Sequence, residues 1–373
     1  MARVQNCTQE VENTERCLIN RRSSTQTLIM TTKQMIQSIK LPITNIIPFT
    51  AYQIRGFEAS ILYANYDKAE ELFFNTCINC SFRQRPSGRV IFDYTCNNTS
   101  WFLGQNVFYM QTMPVNPEKA SRDQLIDTVT SAIDNGIYVS GFFNERYIHN
   151  KSAFGKYDFR HSFLIYGYDD EGGIFNAIGY TANSKFETYE ITFADFAAAM
   201  INCSDPVIWF RAVNPNLNAG FDVIKVRDEL GDYLKSDYTV NNATGKNMED
   251  VYGLLAHRAF RDYVKRTGDG ASILDIRLSR FFYDNKEFML KRIDFMHSNG
   301  LISDYHDQYE SAFKKSESVH LYFIKYNMTK RASAAESVSR LLGEINQIDE
   351  SVLSEVYKDL SAYIGKQKSE VYL

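Results

Sequence analysis

The pattern of hydrophobic and polar positions changes character once along the chain. From residue 43 to 213 apolar residues come mostly in short runs that suit strands; from 221 onward they recur at helical spacing. The clearest stretch of the first kind is residues 160–200. Phe163, Leu164, Ile165 and Tyr166 make a β-branched and aromatic run, residues 169–173 supply the polar, φ-permissive positions of a reversal, and a second strand starts at Ile174. The spacing predicts a hairpin with His161 at the start of its first strand. Upstream, Ser121 and Gln124 form a capping box ahead of Leu125, Ile126, Val129 and Ile133, and Gly136 stops that helix. A strand over 137–143 follows, then a polar stretch over 144–159 read as an unstructured, substrate-facing loop. Residues 193–200 predict a short helix and 205–210 a further strand. Nearer the start, 43–50 is a short extended segment ended at Pro48, and Phe57, Ile61, Leu62 and Leu72 predict a helix with Gly56 at its start.

Residues 214–220, rich in Asn, Pro and Gly, have the composition of a linker. Beyond them lie three apolar stripes: Met248, Val251, Leu255 and Ala259; Leu278, Phe281, Phe282, Phe288, Met289, Phe295 and Met296; and Val338, Leu341, Leu342, Ile345, Ile348 and Val352. Such stripes are packing faces, and burial of Phe281, Phe288 and Leu341 against the first domain is expected. Residues 1–42 differ from both halves, with six basic residues against three acidic ones and little apolar periodicity. The chain therefore divides into a weakly ordered extension (1–42), an α+β domain (43–213) and an all-helical domain (221–373). No signal-type apolar run follows the first charges, and Met30 and Met35 stand as alternative starts.

Composition narrows the function classes. The chain has 373 residues, 44% hydrophobic, enough for a substantial core, and its formal net charge of −4 argues against nucleic acid or an anionic membrane as the main partner. No window approaches the length of a membrane span. Six cysteines without regular spacing fit a reducing, cytoplasmic setting. Cys77 and Cys80 form a lone CxxC that follows a helix; with no second pair or paired histidines, it reads as packing rather than zinc. Cys96, after an apolar run, is the better spare thiol, and Trp101, Phe102 and Phe108 form an aromatic wall read as core. His257, His297, His306 and His320 lack ligand spacing, and neither a P-loop nor a GxGxxG motif occurs, so no metal, nucleotide or other cofactor is expected.

Several blocks together resemble the papain-like family of butirosin biosynthesis protein H, through its N-terminal domain. They are Ile47 to Thr50 with Gly56 to Leu62, Ile137 to Val139, Asn144 to Ile148, His161 to Asp169, Ile191 to Met200, and Phe288 to Ile293, which together span most of residues 44–330. The resemblance implies a papain-like α+β domain, amide-forming acyl transfer from an acyl or peptidyl carrier-protein thioester to an amine acceptor, and work in bacterial small-molecule biosynthesis of peptide or aminoglycoside type. It also implies site roles: His161 as base, a nucleophilic cysteine at the start of the first helix, an orienting polar residue on the strand after the hairpin, and an oxyanion donor near the helix.

In this chain the nucleophile position matches Gly56, since residues 18–76 contain no cysteine. Asn176 or Asn183 is available to orient the histidine, and Gln53 to donate to an oxyanion. Three functions stay open: an acyltransferase with a rebuilt site or direct aminolysis by His161; a non-catalytic partner or substrate-binding pseudoenzyme; and a cysteine hydrolase using Cys96 or Cys80. A thiol within hydrogen-bond reach of His161 separates the last from the first two.

Overall fold

The structure, a computed structural model, describes residues 38–85, 87–95, 107–218, 220–239, 250–270 and 272–371. Cys96, Trp101, Phe102, Met248 and residues 1–37 lie outside these. The first part of the chain runs β1 (Ser38–Lys40), α1 (Gln53–Asn65), α2 (Ala69–Phe74), β2 (Cys80–Gln84), β3 (Val90–Tyr94), β4 (Phe108–Pro114), α3 (Arg122–Asp134) and β5 (Tyr138–Asn144). It continues through a 3-10 turn, Glu145–Tyr147, then β6 (Arg160–Asp169), β7 (Ile174–Tyr180), β8 (Phe186–Thr192), α4 (Phe193–Ile201) and β9 (Val207–Val213). The last part is α5 (Val223–Lys235), β10 (Val251–Tyr252), α6 (Gly253–Thr267), α7 (Ile276–Ser298), α8 (His306–Thr329) and α9 (Ala332–Val371).

The large sheet is antiparallel, in the order β4-β9-β5-β6-β7-β8. β6 is its long central strand. β5 covers its first half, from Arg160 to Ile165, and β1 covers its second, from Gly167 to Asp169. At Gly167 the β1 backbone comes so close that a Cβ would meet the Ile39 carbonyl oxygen at 2.4 Å, a distance no side chain tolerates. Residues 38–40, assigned from sequence to the weakly ordered extension, are thus part of the sheet. The predicted hairpin is β6 and β7, and the capping box of α3 closes reciprocally between Ser121 and Gln124.

Alternation along the strands gives the sheet two apolar faces. Leu164 and Ile178, with Tyr138, receive Phe57 and Ile61 of α1 on one face. Phe163, Ile165, Phe175 and Ala177 receive Val129 and Ile133 of α3 and Phe196 and Met200 of α4 on the other.

A second core does not follow the sequence boundary at 213–221. Phe73, Phe74 and Phe92, from α2 and β3, share one buried cluster with Phe260, Phe281, Phe282, Phe288 and Leu342 of the helical half. The Phe92 ring lies 4.8 Å from that of Phe281 and 5.1 Å from that of Phe260. β2 and β3 also form a small sheet with β10. Phe281, Phe288 and Leu341 are buried as expected, whereas in the first stripe Val251 belongs to β10 and both it and Leu255 are exposed. The outcome is a mixed α and β molecule with an antiparallel sheet and a C-terminal helical region joined through a common core. No helix among the described residues is long and apolar enough to cross a membrane.

Candidate functional site

The site forms where the N-terminus of α1 meets the start of β6. Tyr52 is the N-cap in extended conformation and Gln53 is the first helical residue. The approach to this helix is held from the helical half: Asp284 of α7 accepts hydrogen bonds from the Thr50 and Ala51 amides at 3.0 and 3.3 Å. Burial of that carboxyl pushes it up to about 6, with Arg280 and the two amides opposing the rise.

Gln53 is nearly buried and its amide is oriented by backbone on both sides. Oε1 accepts from the Tyr180 amide at 3.0 Å, and Nε2 donates to the Ser162 carbonyl at 2.5 Å. The same Nε2 lies 2.9 Å from Nε2 and 3.2 Å from Nδ1 of His161. An atom so close to both ring nitrogens cannot lie on the in-plane axis of either, so the amide sits against the face of the imidazole. Phe159, whose ring centroid is 5.1 Å away, is the imidazole's aromatic neighbour.

Nδ1 of His161 is 2.9 Å from Oε1 of Glu145, a buried carboxylate at the first turn after β5. A carboxylate there makes Nδ1 the protonated nitrogen and leaves the Nε2 lone pair as the base. The same Oε1 is 3.4 Å from Nζ of Lys151, which is buried and also donates to the Tyr180 carbonyl. Burial lowers the Lys151 ammonium from its ordinary range, while Glu145 opposes that shift. The contacts close on themselves: Gln53 to His161, His161 to Glu145, Glu145 to Lys151, Lys151 to Tyr180, and Tyr180 back to Gln53.

This ring borders a cleft of about 1070 Å³ between the sheet and the helical half. Its near wall includes Gln53, Glu145, His161 and Phe159, and Ile276, Arg277, Arg280 and His320 of α7 and α8 form the far wall. His161 retains 35% side-chain exposure and borders the cleft. A histidine with a carboxylate behind it and open space in front is a general-base arrangement. The described residues contain no group of metal-ligating side chains.

The structure brings His161 and Gln53 together and separates the other expected residues from them. Gly56 is one turn inside α1 rather than at its start. A Cβ there would meet Ile47 Cδ1 at 2.9 Å and the Phe186 ring at 3.0 Å, so this position faces the packing of the helix. Gln53 is the helix-start residue that faces the imidazole, and its amide is bound to backbone rather than free for an oxyanion.

Asn176 pairs with Gly167, six residues along β6 from His161, which is about 20 Å at the rise of a strand. Asn183 is exposed in the turn between β7 and β8. The orienting partner is Glu145, from the strand before the hairpin. It lies within Asn144 to Ile148, one of the blocks that carry the family resemblance, in the stretch read from sequence as a loop. That stretch is also not unstructured: Asn144 Oδ1 accepts from the Arg146 and Phe159 amides, pinning both ends of the excursion.

Cys77 and Cys80 are free and buried, and neither borders the cleft. Burial pushes the Cys77 thiol up to about 12 and raises that of Cys80 further. Cys96 lies outside the described residues.

Comparison of the chain with protein-family models and with curated proteins gives no match.

Proposed function

We propose that the chain is a papain-like acyltransferase relative in which His161 acts as a general base on an amine acceptor, without a covalent acyl-enzyme. The single observation that carries this reading is the Glu145–His161 pair opening on the cleft beside a helix start occupied by Gln53 instead of a thiol. Supporting it is the placement of α1 across the sheet with its N-terminus against the histidine strand, the arrangement that the family resemblance implies. The donor would be an acyl or peptidyl thioester on a carrier protein.

In the reaction, the amine nitrogen bonds to the thioester carbonyl carbon while its proton passes to His161 Nε2. The tetrahedral species then breaks its C–S bond, and the imidazolium returns the proton to the departing thiolate. Glu145 stabilises the imidazolium between the two steps. General-base assistance of this kind is worth about 10²–10⁴ in rate, without the further gain of an enzyme nucleophile.

A second reading is favoured by Gln53 itself. Its amide is fastened to Ser162 and Tyr180 and rests on the imidazole face, which suits a pseudoenzyme that binds a carrier protein or substrate without turning it over.

Intact-mass and product analysis with acyl-thioester probes, with and without an amine, separates the two. The acyltransferase reading expects free amide, an unmodified protein mass, and loss of product with His161→Ala. Binding of the probe with amide only at the uncatalysed rate would leave the binding role. An acylated protein would overturn the direct mechanism.

A further inference from the structure

Lys151 is an unusual residue to find beside a candidate base. It is buried and makes its contacts inward: Nζ reaches Glu145 Oε1 at 3.4 Å and the Tyr180 carbonyl, and lies 4.6 Å from the centroid of the Tyr189 ring. Lys151 borders the cleft, but with 1% of its side chain exposed the amine is badly placed to attack a ligand there. Its position relative to Glu145 is more informative, because His161 Nδ1 and Lys151 Nζ converge on the same carboxylate oxygen.

We infer that Lys151 is a positioning residue for His161, competing with the imidazole for Glu145 Oε1 and thereby limiting how strongly that carboxylate stabilises the imidazolium. The inference follows from charge geometry. A carboxylate in contact with a histidine favours the charged ring, and an ammonium on the same oxygen offsets part of that effect. A base must be neutral to accept a proton, so an ammonium on that oxygen favours the form of the ring that can act. Lys151 also fixes the Tyr180 backbone whose amide orients Gln53, so one side chain reaches both flanks of the ring.

Other charged groups around the site have partners of their own. On α7, Arg277 pairs with Asp275 and Arg280 with Asp284; on α8, His320 meets Ser279. Glu187 of β8 accepts from Thr181, and Arg160 donates to the Ser204 and Asp205 carbonyls. Arg89 and Lys185 are exposed at the cleft, where solvent screens them. Among the described residues, Lys151 is therefore the cation placed to act on the Glu145–His161 pair.

The inference extends the general-base reading but is tested without any acyl donor. The His161 ring signals would be followed by NMR across pH in the full chain, in the unaltered protein and in Lys151→Met, Lys151→Arg and Glu145→Gln. Lys151→Met is expected to raise the titration midpoint by about one unit, Glu145→Gln to lower it by about one unit, and Lys151→Arg to stay nearest the unaltered protein. A structural lysine would leave the midpoint in place. An unchanged or lowered midpoint in a folded Lys151→Met protein overturns the inference. If that variant does not give a dispersed spectrum, Glu145→Gln decides, and a midpoint that fails to fall overturns it. Failure of catalysis leaves these titrations intact, so the two readings fail separately.

Discussion

Two clusters in this molecule use nearly the same side chains for different ends. At the cleft, His161 and Lys151 converge on Glu145. Within the helical half, His257 and Lys286 converge on Asp349, at 3.3 and 2.6 Å, joined by the Tyr233 and Tyr309 hydroxyls at 2.8 Å. The second cluster is wholly buried, and the rings of Phe92 and Phe282 close over His257 at 5.7 and 5.0 Å. Its hydrogen-bonding groups are occupied by one another and no ligand can reach them. Burial pushes the His257 imidazole down to about 4, so it is neutral in the folded protein and does not serve as a base with access to substrate. Residue type thus does not separate the candidate site from the internal strut. Access does.

The sharpest way to break the comparison is to remove the buried carboxylate. Asp349→Ala would strand Lys286 as an uncompensated buried cation, and about 3–5 kcal/mol of stability should be lost in urea denaturation. A loss below about 1 kcal/mol would mean that water reaches the cluster.

The second largest effect concerns pH. His257 takes up a proton near 6.5 when unfolded but only near 4 when folded. Its contribution is therefore complete above about 6.5 and is lost as pH falls toward 4, for a total of about 3 kcal/mol. Glu229, pushed up by burial to about 8, and Asp284, to about 6, act in the opposite sense: their contributions hold at low pH and fade as pH rises through those values. The unaltered protein should accordingly have a flattened profile. The His257 component appears as the difference between its urea stabilities and those of His257→Gln at pH 7 and pH 4.5. Parallel profiles would show that the imidazole is not held neutral.

At the cleft, replacing the histidine should leave the fold intact and reach only function. On the acyltransferase reading proposed above, His161→Ala should reduce amide formation about a hundredfold, with stability changed by less than about 1 kcal/mol, since the ring is partly exposed. Loss of folding instead would class His161 with His257.

The smallest effect tests which helix position faces the histidine. Gln53→Cys, in a background lacking the native cysteines, should place a thiol beside His161 at the helix N-terminus and raise iodoacetamide labelling at pH 6.5 about tenfold over the same variant carrying His161→Ala. Gly56→Cys should show no such dependence, because its side chain would meet Ile47 and Phe186. The opposite result would restore Gly56 as the site position.

Much of the architecture was legible in local pattern. The β6–β7 hairpin, the boxed start of α3, the short helix α4 and the helical C-terminal half each rest on interactions between residues close in sequence, and these the periodicity and turn residues report directly. The place of His161 at a strand start could be read in the same way, while its role as a base rested on the family resemblance. The Glu145 role could not, because it depends on where a polar stretch folds after β5, and Gln53 displaced Gly56 because helix starts read from sequence shift by a few residues.

By itself, then, the sequence determined many of the elements and the chemical inventory: a histidine on a strand, no thiol near the first helix, and the two later apolar stripes that had to be buried. Tertiary structure alone decided that α2, β2 and β3 pack with the helices beyond the linker, that Asp284 of α7 caps the approach to Gln53, and that one His–carboxylate–Lys cluster is sealed while the other opens on a cleft. The physical reason is that burial and charge pairing arise between groups far apart in the chain, Lys286 with Asp349 and Asp284 with Thr50, and no local spacing encodes which of them will meet.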